Sequence, residues 1–243
     1  MDNNHGRDVH PRDMHVRPGK TPPVTPTLME LAADENPMAL INDLFVDNWR
    51  PWIAIYCGDG RWADKVASAI CSYNAGGTDQ ISVMGSVSTL AKFIRNEKRW
   101  YHRLRNFFGL DRDGALELLT EQIIFAHEHH NIRGIQVITH PLCGGTKDRV
   151  IKRVKGAQLV YSSPTKALPE LVQVTRRAEL EIHREDLDVF RDWVFARFPF
   201  IDAVEYLRST KSRLEPFSHH EMANCAQIER MLAEGRLKES DLT

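Results

Sequence analysis

The chain has 243 residues, of which 42% are hydrophobic and 27% are charged, and its formal net charge is −1. This composition is typical of a globular protein with one sizeable domain, and the balanced charge excludes a general attraction to nucleic acid or to an anionic membrane. No apolar run approaches the roughly 20 residues of a membrane span, and the N-terminus lacks the apolar core of a signal peptide, so we expect a cytoplasmic protein without membrane contact.

Residues 1–26 are predicted to be a disordered arm, because they combine five prolines and many charges with scattered apolar residues. Three histidines of this arm, His5, His10 and His15, recur every five residues, a spacing that also suggests metal capture. We favour a mobile arm without a preformed metal site, because flexible residues at this spacing hold no fixed geometry.

Residues 27–215 are predicted to form a single domain. A capping box from Thr27 to Glu30 begins a first helix, and a second helical run follows. Unbroken apolar runs then predict three buried strands, and amphipathic spacing predicts the helices between and beside them. The predicted helices are 38–46, 62–72, 86–108 and 116–130, and the predicted strands are 52–56, 81–84 and 135–139.

The remainder of the chain continues the alternation of helices and strands. The predicted elements are a helix at about 147–155, a strand near 159–162, one or two strands within 171–183, a helix at 186–198 and a strand at 201–207. Residues 216–243 are predicted to be a helical tail, with a capping box at Ser218 and Glu221. The alternation indicates an α/β fold with a mostly parallel sheet flanked by helices.

Two segments carry residues suited to binding. Residues 92–108 interleave six cations with five aromatic residues, a combination that suits single-stranded nucleic acid. We favour an amphipathic helix with packed aromatic rings and do not expect nucleic acid as a partner, because the rest of the chain has no basic excess. The run His127, Glu128, His129 and His130 resembles a metal cluster, but histidines in a last helical turn are also favoured by the helix dipole, and we adopt that interpretation.

A first candidate site follows the strand at 52–56, in the sequence Cys57-Gly58-Asp59-Gly60-Arg61. In extended geometry Cys57, Asp59 and Arg61 would share one face and converge. A strand that ends in a glycine-rich turn with an exposed ion pair is an equally good interpretation of this stretch alone.

A second candidate site, His140-Pro141-Leu142-Cys143-Gly144-Gly145, follows the strand at 135–139. Ligands of parallel sheets gather at the carboxyl ends of the strands, so Cys57, His140 and Cys143 are expected to meet there. Two thiolates and one imidazole are zinc ligands, and three protein ligands leave the fourth position open. A structural zinc normally has four protein ligands, often as paired Cys-x-x-Cys knuckles, whereas this chain has one close pair and a distant partner, so we favour a catalytic zinc.

The two motifs together, in this order and context, resemble those of the β-class carbonic anhydrases. The resemblance covers roughly residues 38–160. It implies that Cys57, His140 and Cys143 bind zinc and that CO2 is hydrated reversibly to bicarbonate by a zinc-bound hydroxide, which the pair of Asp59 and Arg61 orients. It also implies a homodimer or higher homo-oligomer, and a closed state in which Asp59 becomes the fourth ligand.

One departure from the family pattern bears on the substrate, because this chain has Gly60 where the family commonly has serine. Two alternatives therefore stay open. The same site could hydrolyse carbonyl sulfide or carbon disulfide, which are linear like CO2. The chain could also be a catalytically silent binding or regulatory protein of the same fold, acting through residues 92–108.

Overall fold

The structure is a computed structural model that describes residues 12–23, 51–73, 78–97, 114–210 and 213–242. Several predictions lie outside the described residues: the helix begun by Thr27 and Glu30, the helical run at 38–46, the part of the stretch 92–108 beyond residue 97, and the placement of His5 and His10.

The described strands form one mixed sheet. They are β1 (Met14–Val16), β2 (Trp52–Cys57), β3 (Asp79–Val83), β4 (Gly134–Thr139), β5 (Ala203–Thr210) and β6 (Arg213–Pro216). The strand order is β1-β5-β4-β2-β3, and β6 pairs with the part of β5 that follows its pairing with β1. Strands β2 to β5 run parallel, whereas β1 and β6 are antiparallel to β5. The prediction of an α/β fold with a mostly parallel sheet is confirmed.

Seven α-helices lie in the described part of the chain. They are α1 (Ala63–Tyr73), α2 (Ser86–Glu97), α3 (Gly114–His130), α4 (Gly144–Arg153), α5 (Ala157–Ser162), α6 (Pro169–Arg197) and α7 (Phe217–Ala233). None of these helices combines the length and the apolar character that crossing a bilayer demands.

The helices cover both faces of the sheet, which explains why its central strands are continuous apolar runs. On one face, Ile55 of β2 and Val137 of β4 pack in a core with residues of α2, α3 and α6. On the other face, Ala54 and Ile138 pack against α1. Neighbouring residues along each strand therefore contribute to different cores, as the pleat of a strand requires.

Two strand predictions are wrong. Residues 159–162 belong to helix α5, and residues 171–183 belong to α6, a single helix of 29 residues that also contains the predicted helix at 186–198. The buried residues Val174, Ala178 and Ile182 recur every four positions, which is the spacing of a helix face. Pro169 occupies the first turn, where its fixed φ angle favours a helix start.

The prediction of a disordered arm does not hold for residues 12–23. Met14–Val16 forms β1 at the edge of the sheet. The Arg17 side chain donates to the carbonyl oxygens of Ile201 at 3.0 Å and Phe198 at 2.9 Å, and Arg184 donates to Asp13 at 2.9 Å. Hydrogen bonds and charges hold this segment, so its low apolar content was a poor guide to its order.

The predicted helical tail at 216–243 contains α7, which packs on α6 and β5. Its residues Phe217, Ile228 and Met231 are buried. Beside it, β6 was not predicted, because its four residues are too short to show a pattern.

The strand order predicts where a ligand would bind the sheet, at the edge formed by the carboxyl ends of its parallel strands. Strand β2 lies between β3 and β4, so the chain moves outward to β3 and then returns to the other side of β2. Ligands of open α/β sheets bind where the order reverses in this way, at the carboxyl ends of the strands. The register pairs Tyr56 of β2 with Ile138 of β4, so Cys57 and His140 leave the sheet side by side.

Candidate metal centre

Three buried side chains meet at this edge of the sheet. Cys57 is the last residue of β2, His140 follows β4 directly, and Cys143 is the N-cap residue of α4. Their ligand atoms all lie within 4.8 Å of one another. The three residues are 3%, 1% and 1% exposed, respectively. This cluster of two sulfur atoms and one imidazole nitrogen could hold a metal ion.

The imidazole of His140 presents the correct nitrogen for a metal. Its Nδ1 lies 2.9 Å from the carbonyl oxygen of Pro141, which can only accept, so Nδ1 carries the proton. Nε2 is then a lone-pair acceptor, and it is buried without a hydrogen-bond partner among the described residues. Metal-binding histidines commonly have their second nitrogen fixed by a carbonyl in this way. Trp62 stacks on the ring, with 5.3 Å between ring centroids.

The two thiols are electrostatically coupled. The pKa of Cys57 is lowered to about 4, chiefly because the Cys143 thiol donates to its sulfur, and the Asp59 backbone N–H adds to this effect. The pKa of Cys143 is raised, because it supplies the hydrogen bond to the Cys57 thiolate and is itself buried. The pair therefore shares one proton, which a divalent cation would replace on binding both sulfur atoms.

The segment that carries Cys143 is held close to the turn between β3 and α2. A Cβ atom added to Gly145 would lie 2.7 Å from the carbonyl oxygen of Gly85, so a side chain at this position would collide with backbone. Gly85 itself has φ of +78°, which favours glycine. The Cys143 sulfur lies 3.9 Å from the same Gly85 oxygen. The close contact between these two backbone segments thus fixes the position of the Cys143 sulfur.

Asp59 and Arg61 form a fork beside the cluster. Arg61 Nε lies 3.0 Å from Asp59 Oδ1, and its Nη2 lies 2.5 Å from Oδ2. These hydrogen bonds lower the pKa of Asp59 to about 2 and raise the pKa of Arg61. The negative charge of the Cys57 and Cys143 pair also raises the pKa of Arg61, so the fork lies within electrostatic reach of the cluster.

The fork arises from a turn and not from the extended chain predicted for residues 57–61. The carbonyl oxygen of Asp59 accepts from the N–H groups of Trp62 and Ala63, which bends the chain into α1. The Asp59 side chain also accepts from the Arg61 N–H at 3.0 Å, as turn-forming aspartates do. A Cβ atom at Gly60 would meet no atom within 4 Å, so a serine would fit there.

A buried carboxylate that no sequence pattern predicted lies behind the cluster. Glu179 of α6 accepts the backbone N–H of Cys143 at 2.8 Å through Oε1. Its Oε2 accepts from Arg208 Nη2 of β5 at 3.0 Å. The side chains of Glu179 and Arg208 are 2% and 0% exposed, respectively. A buried ion pair thus supports the backbone of a candidate ligand.

Two further groups complete this network. Arg208 Nη1 lies 3.1 Å from Nδ1 of His183, which must accept, and the Tyr161 hydroxyl donates to Glu179 at 3.3 Å. Burial and the neighbouring Arg208 charge hold the pKa of His183 well below its usual value, so its ring stays neutral. Glu179 and His183 lie four residues apart, a spacing that indicates a shared face only once α6 is recognised as a helix.

The other histidines that sequence analysis considered have separate surroundings. His127 stacks on Phe200 with 3.8 Å between ring centroids, and His130 Nδ1 lies 2.5 Å from Asp79. His15 packs against Tyr206 at 4.3 Å.

The described part of the stretch 92–108 agrees with an amphipathic helix. Ile94 is buried and Phe93 packs partly against the core, whereas Lys92 is exposed. Arg95 pairs with Asp186 of α6 at 2.7 Å, so this cation is engaged within the protein.

Comparisons of the chain with protein-family models, with curated proteins and with solved structures found no match. The residues of the cluster and of the fork are therefore the features from which a function can be inferred.

Proposed function

We propose that this protein is a zinc-dependent carbonic anhydrase that hydrates CO2 reversibly to bicarbonate. The observation that carries the proposal is the buried cluster of Cys57, His140 and Cys143 at the carboxyl ends of β2 and β4. The neighbouring fork of Asp59 and Arg61 supports it, because it supplies a carboxylate beside the cluster. A homo-oligomer in the cytoplasm belongs to the same proposal.

Cys57, His140 and Cys143 would hold the zinc ion. When bound, zinc polarises a coordinated water and lowers its pKa to about 7, which supplies a nucleophile at neutral pH. Two thiolates balance the charge of the ion, and three protein ligands leave one position for water. The burial of all three residues would restrict the access of bulk water to a bound ion.

Asp59 would act as the acceptor that orients the reacting water. Its lowered pKa keeps the carboxylate ionised at neutral pH. It could then accept a hydrogen bond from the reacting water and direct a lone pair of the water oxygen toward CO2. Arg61 holds both carboxylate oxygens and limits their rotation. Opening of the fork would free Asp59 to reach the metal, which is the closed state that the resemblance implies.

Metal analysis combined with stopped-flow CO2 hydration tests the proposal. We expect Cys143→Ser to lose one equivalent of zinc and the hydration activity, because two protein ligands hold zinc poorly. Cys225→Ser, which changes an exposed free cysteine, is the matched control and should keep both. Zinc-loaded wild type that hydrates CO2 no faster than buffer would overturn the proposal. If the protein released sulfide from carbonyl sulfide or carbon disulfide faster than it hydrated CO2, that compound would replace CO2 as the proposed substrate.

The role of the fork is tested by Arg61→Ala. We expect the variant to retain zinc, because the three ligands are unchanged, and to lose about 100-fold or more in kcat/KM, because Asp59 is no longer held in place. Arg177→Ala, which removes another arginine from a surface pair, should leave kcat/KM unchanged. Loss of zinc from Arg61→Ala would contradict the assigned role.

A further inference from the structure

A second group of potential ligands lies at the junction of β6 and α7. Glu215 is near the end of β6, and His219 and His220 are in the first turn of α7. The carboxylate oxygen Oε2 of Glu215 lies 3.4 Å from Nδ1 of His219 and 3.0 Å from Nε2 of His220. The three donor atoms all lie within 4.8 Å of one another. They converge without belonging to the cluster of Cys57, His140 and Cys143.

His220 places a buried ring nitrogen against the Glu215 carboxylate. The residue is only 5% exposed, and its Nε2 lies 3.0 Å from Glu215 Oε2 without forming an aligned hydrogen bond among the described residues. A cation between the two atoms would satisfy both of them. The Nδ1 of His220 lies 3.5 Å from Arg176 Nη2, which is the outer limit of a hydrogen bond. This weak contact would lengthen if Nε2 bound a cation and Nδ1 took the proton.

The charges around the group permit a cation despite two nearby arginines. Arg208 lies opposite Glu215 in the register of β5 and β6, so both side chains share one face of the sheet. The charge of Arg208 is already balanced by Glu179 at 3.0 Å, which leaves the Glu215 carboxylate for the histidines.

We propose that Glu215, His219 and His220 form a second metal site, for a zinc-like divalent transition-metal ion. Two imidazoles and one carboxylate are an established zinc ligand set, and they leave the fourth position to water. A bound ion would tie the end of β6 to the first turn of α7. The site is independent of the proposed hydration activity, because none of its ligands belongs to the first cluster.

Zinc titration of the full-length, metal-stripped protein by calorimetry tests the proposal. We expect wild type to bind two equivalents of zinc. Glu215→Gln and His219→Gln should each lower the affinity for one equivalent by about 100-fold, because the site loses a ligand. His129→Gln, an exposed histidine on α3, is the matched control and should keep both equivalents. Cys143→Ser should lose the other equivalent and retain this one.

Cobalt substitution separates the two sites and checks the fold of the variants. Cobalt bound by thiolates has a sulfur-to-metal charge-transfer absorption, whereas cobalt bound by histidine and carboxylate has none. Glu215→Gln and His219→Gln should therefore keep that absorption and lose the second equivalent. The proposal would be overturned if both variants bound zinc and cobalt as wild type does. It would also be overturned if wild type bound only one equivalent and Cys143→Ser lost it.

Discussion

Glu179 connects the backbone of the candidate metal centre to the interior of the protein. Its carboxylate accepts the N–H of Cys143 and balances the buried charge of Arg208. Burying two charges costs desolvation free energy, so the pair need not stabilise the fold more than apolar residues would. Removal of one partner is different, because it leaves the other charge buried without compensation.

Glu179→Gln tests this dependence at the level of one residue. We expect the free energy of unfolding to fall by about 3–5 kcal/mol, because Arg208 loses its counter-charge while it stays buried. Urea denaturation measures the change. Zinc affinity should fall as well, because the amide holds the Cys143 N–H less strongly than a carboxylate does.

Glu181→Gln is the control on the same helix. Glu181 is exposed and pairs with Arg177 at 2.9 Å, so its loss should cost below about 0.5 kcal/mol. Equal losses of stability in the two variants would show that the buried pair has no special role.

At the scale of elements, the ligands were predictable but their support was not. Cys57, His140 and Cys143 stand after apolar runs, and the carboxyl ends of parallel strands meet at one edge. The contribution of Glu179 and Arg208 depends on α6 and β5, which place charged residues in the interior. No local pattern in the sequence distinguishes those charges from exposed ones.

The elements that were mispredicted share a physical cause. Residues 171–183 contain β-branched residues that favour strands, and tertiary packing of α6 against its neighbours outweighs that preference. The edge strands β1 and β6 are held by backbone hydrogen bonds to β5, which leave little trace in composition. The buried strands β2 and β4 were predictable, because both of their faces are apolar.

The start of α4 provides a test at the element scale, since its two glycines differ in surroundings. A Cβ atom on Gly145 would collide with the carbonyl oxygen of Gly85, whereas a Cβ atom on Gly144 would meet no atom within 4 Å. We expect Gly145→Ala to lower the free energy of unfolding by about 1–3 kcal/mol through overpacking. Gly144→Ala should raise it by about 0.4–1 kcal/mol, because alanine restricts the unfolded chain.

Urea denaturation of both alanine variants measures this difference. The collision at Gly145 also moves the segment that carries Cys143, so zinc affinity should fall in Gly145→Ala alone. The same effect on stability for both variants would contradict the close approach of the two backbone segments.

At the scale of the whole molecule, three histidines among the described residues make stability depend on pH. Burial is the main cause that lowers the pKa values of His15, His183 and His220, and nearby arginines add to it. The unfolded chain takes up a proton on each histidine near pH 6.5, whereas the folded chain does so only at lower pH. Protons are therefore bound preferentially by the unfolded state in acid, and the fold loses stability there.

We expect the free energy of unfolding to fall as the pH drops below about 6.5, by up to about 1.4 kcal/mol per pH unit for each histidine that stays neutral in the fold. For His220 the loss should be complete near pH 4, where its ring also titrates in the folded protein. Urea denaturation at pH 7 and 5.5, with a chelator present, measures the slope.

His183→Gln isolates the contribution of the most deeply buried ring. Glutamine keeps an oxygen that can accept from Arg208, so the variant should fold, but it cannot take up a proton in the unfolded state. The free energy of unfolding should therefore change less steeply with pH than in wild type. The difference in slope should be up to about 1.4 kcal/mol per pH unit, which corresponds to one bound proton. His129→Gln, on the exposed side of α3, should keep the wild-type slope. A slope unchanged in His183→Gln would mean that the buried ring is protonated in the folded protein, and the geometry with Arg208 as its donor would then be wrong.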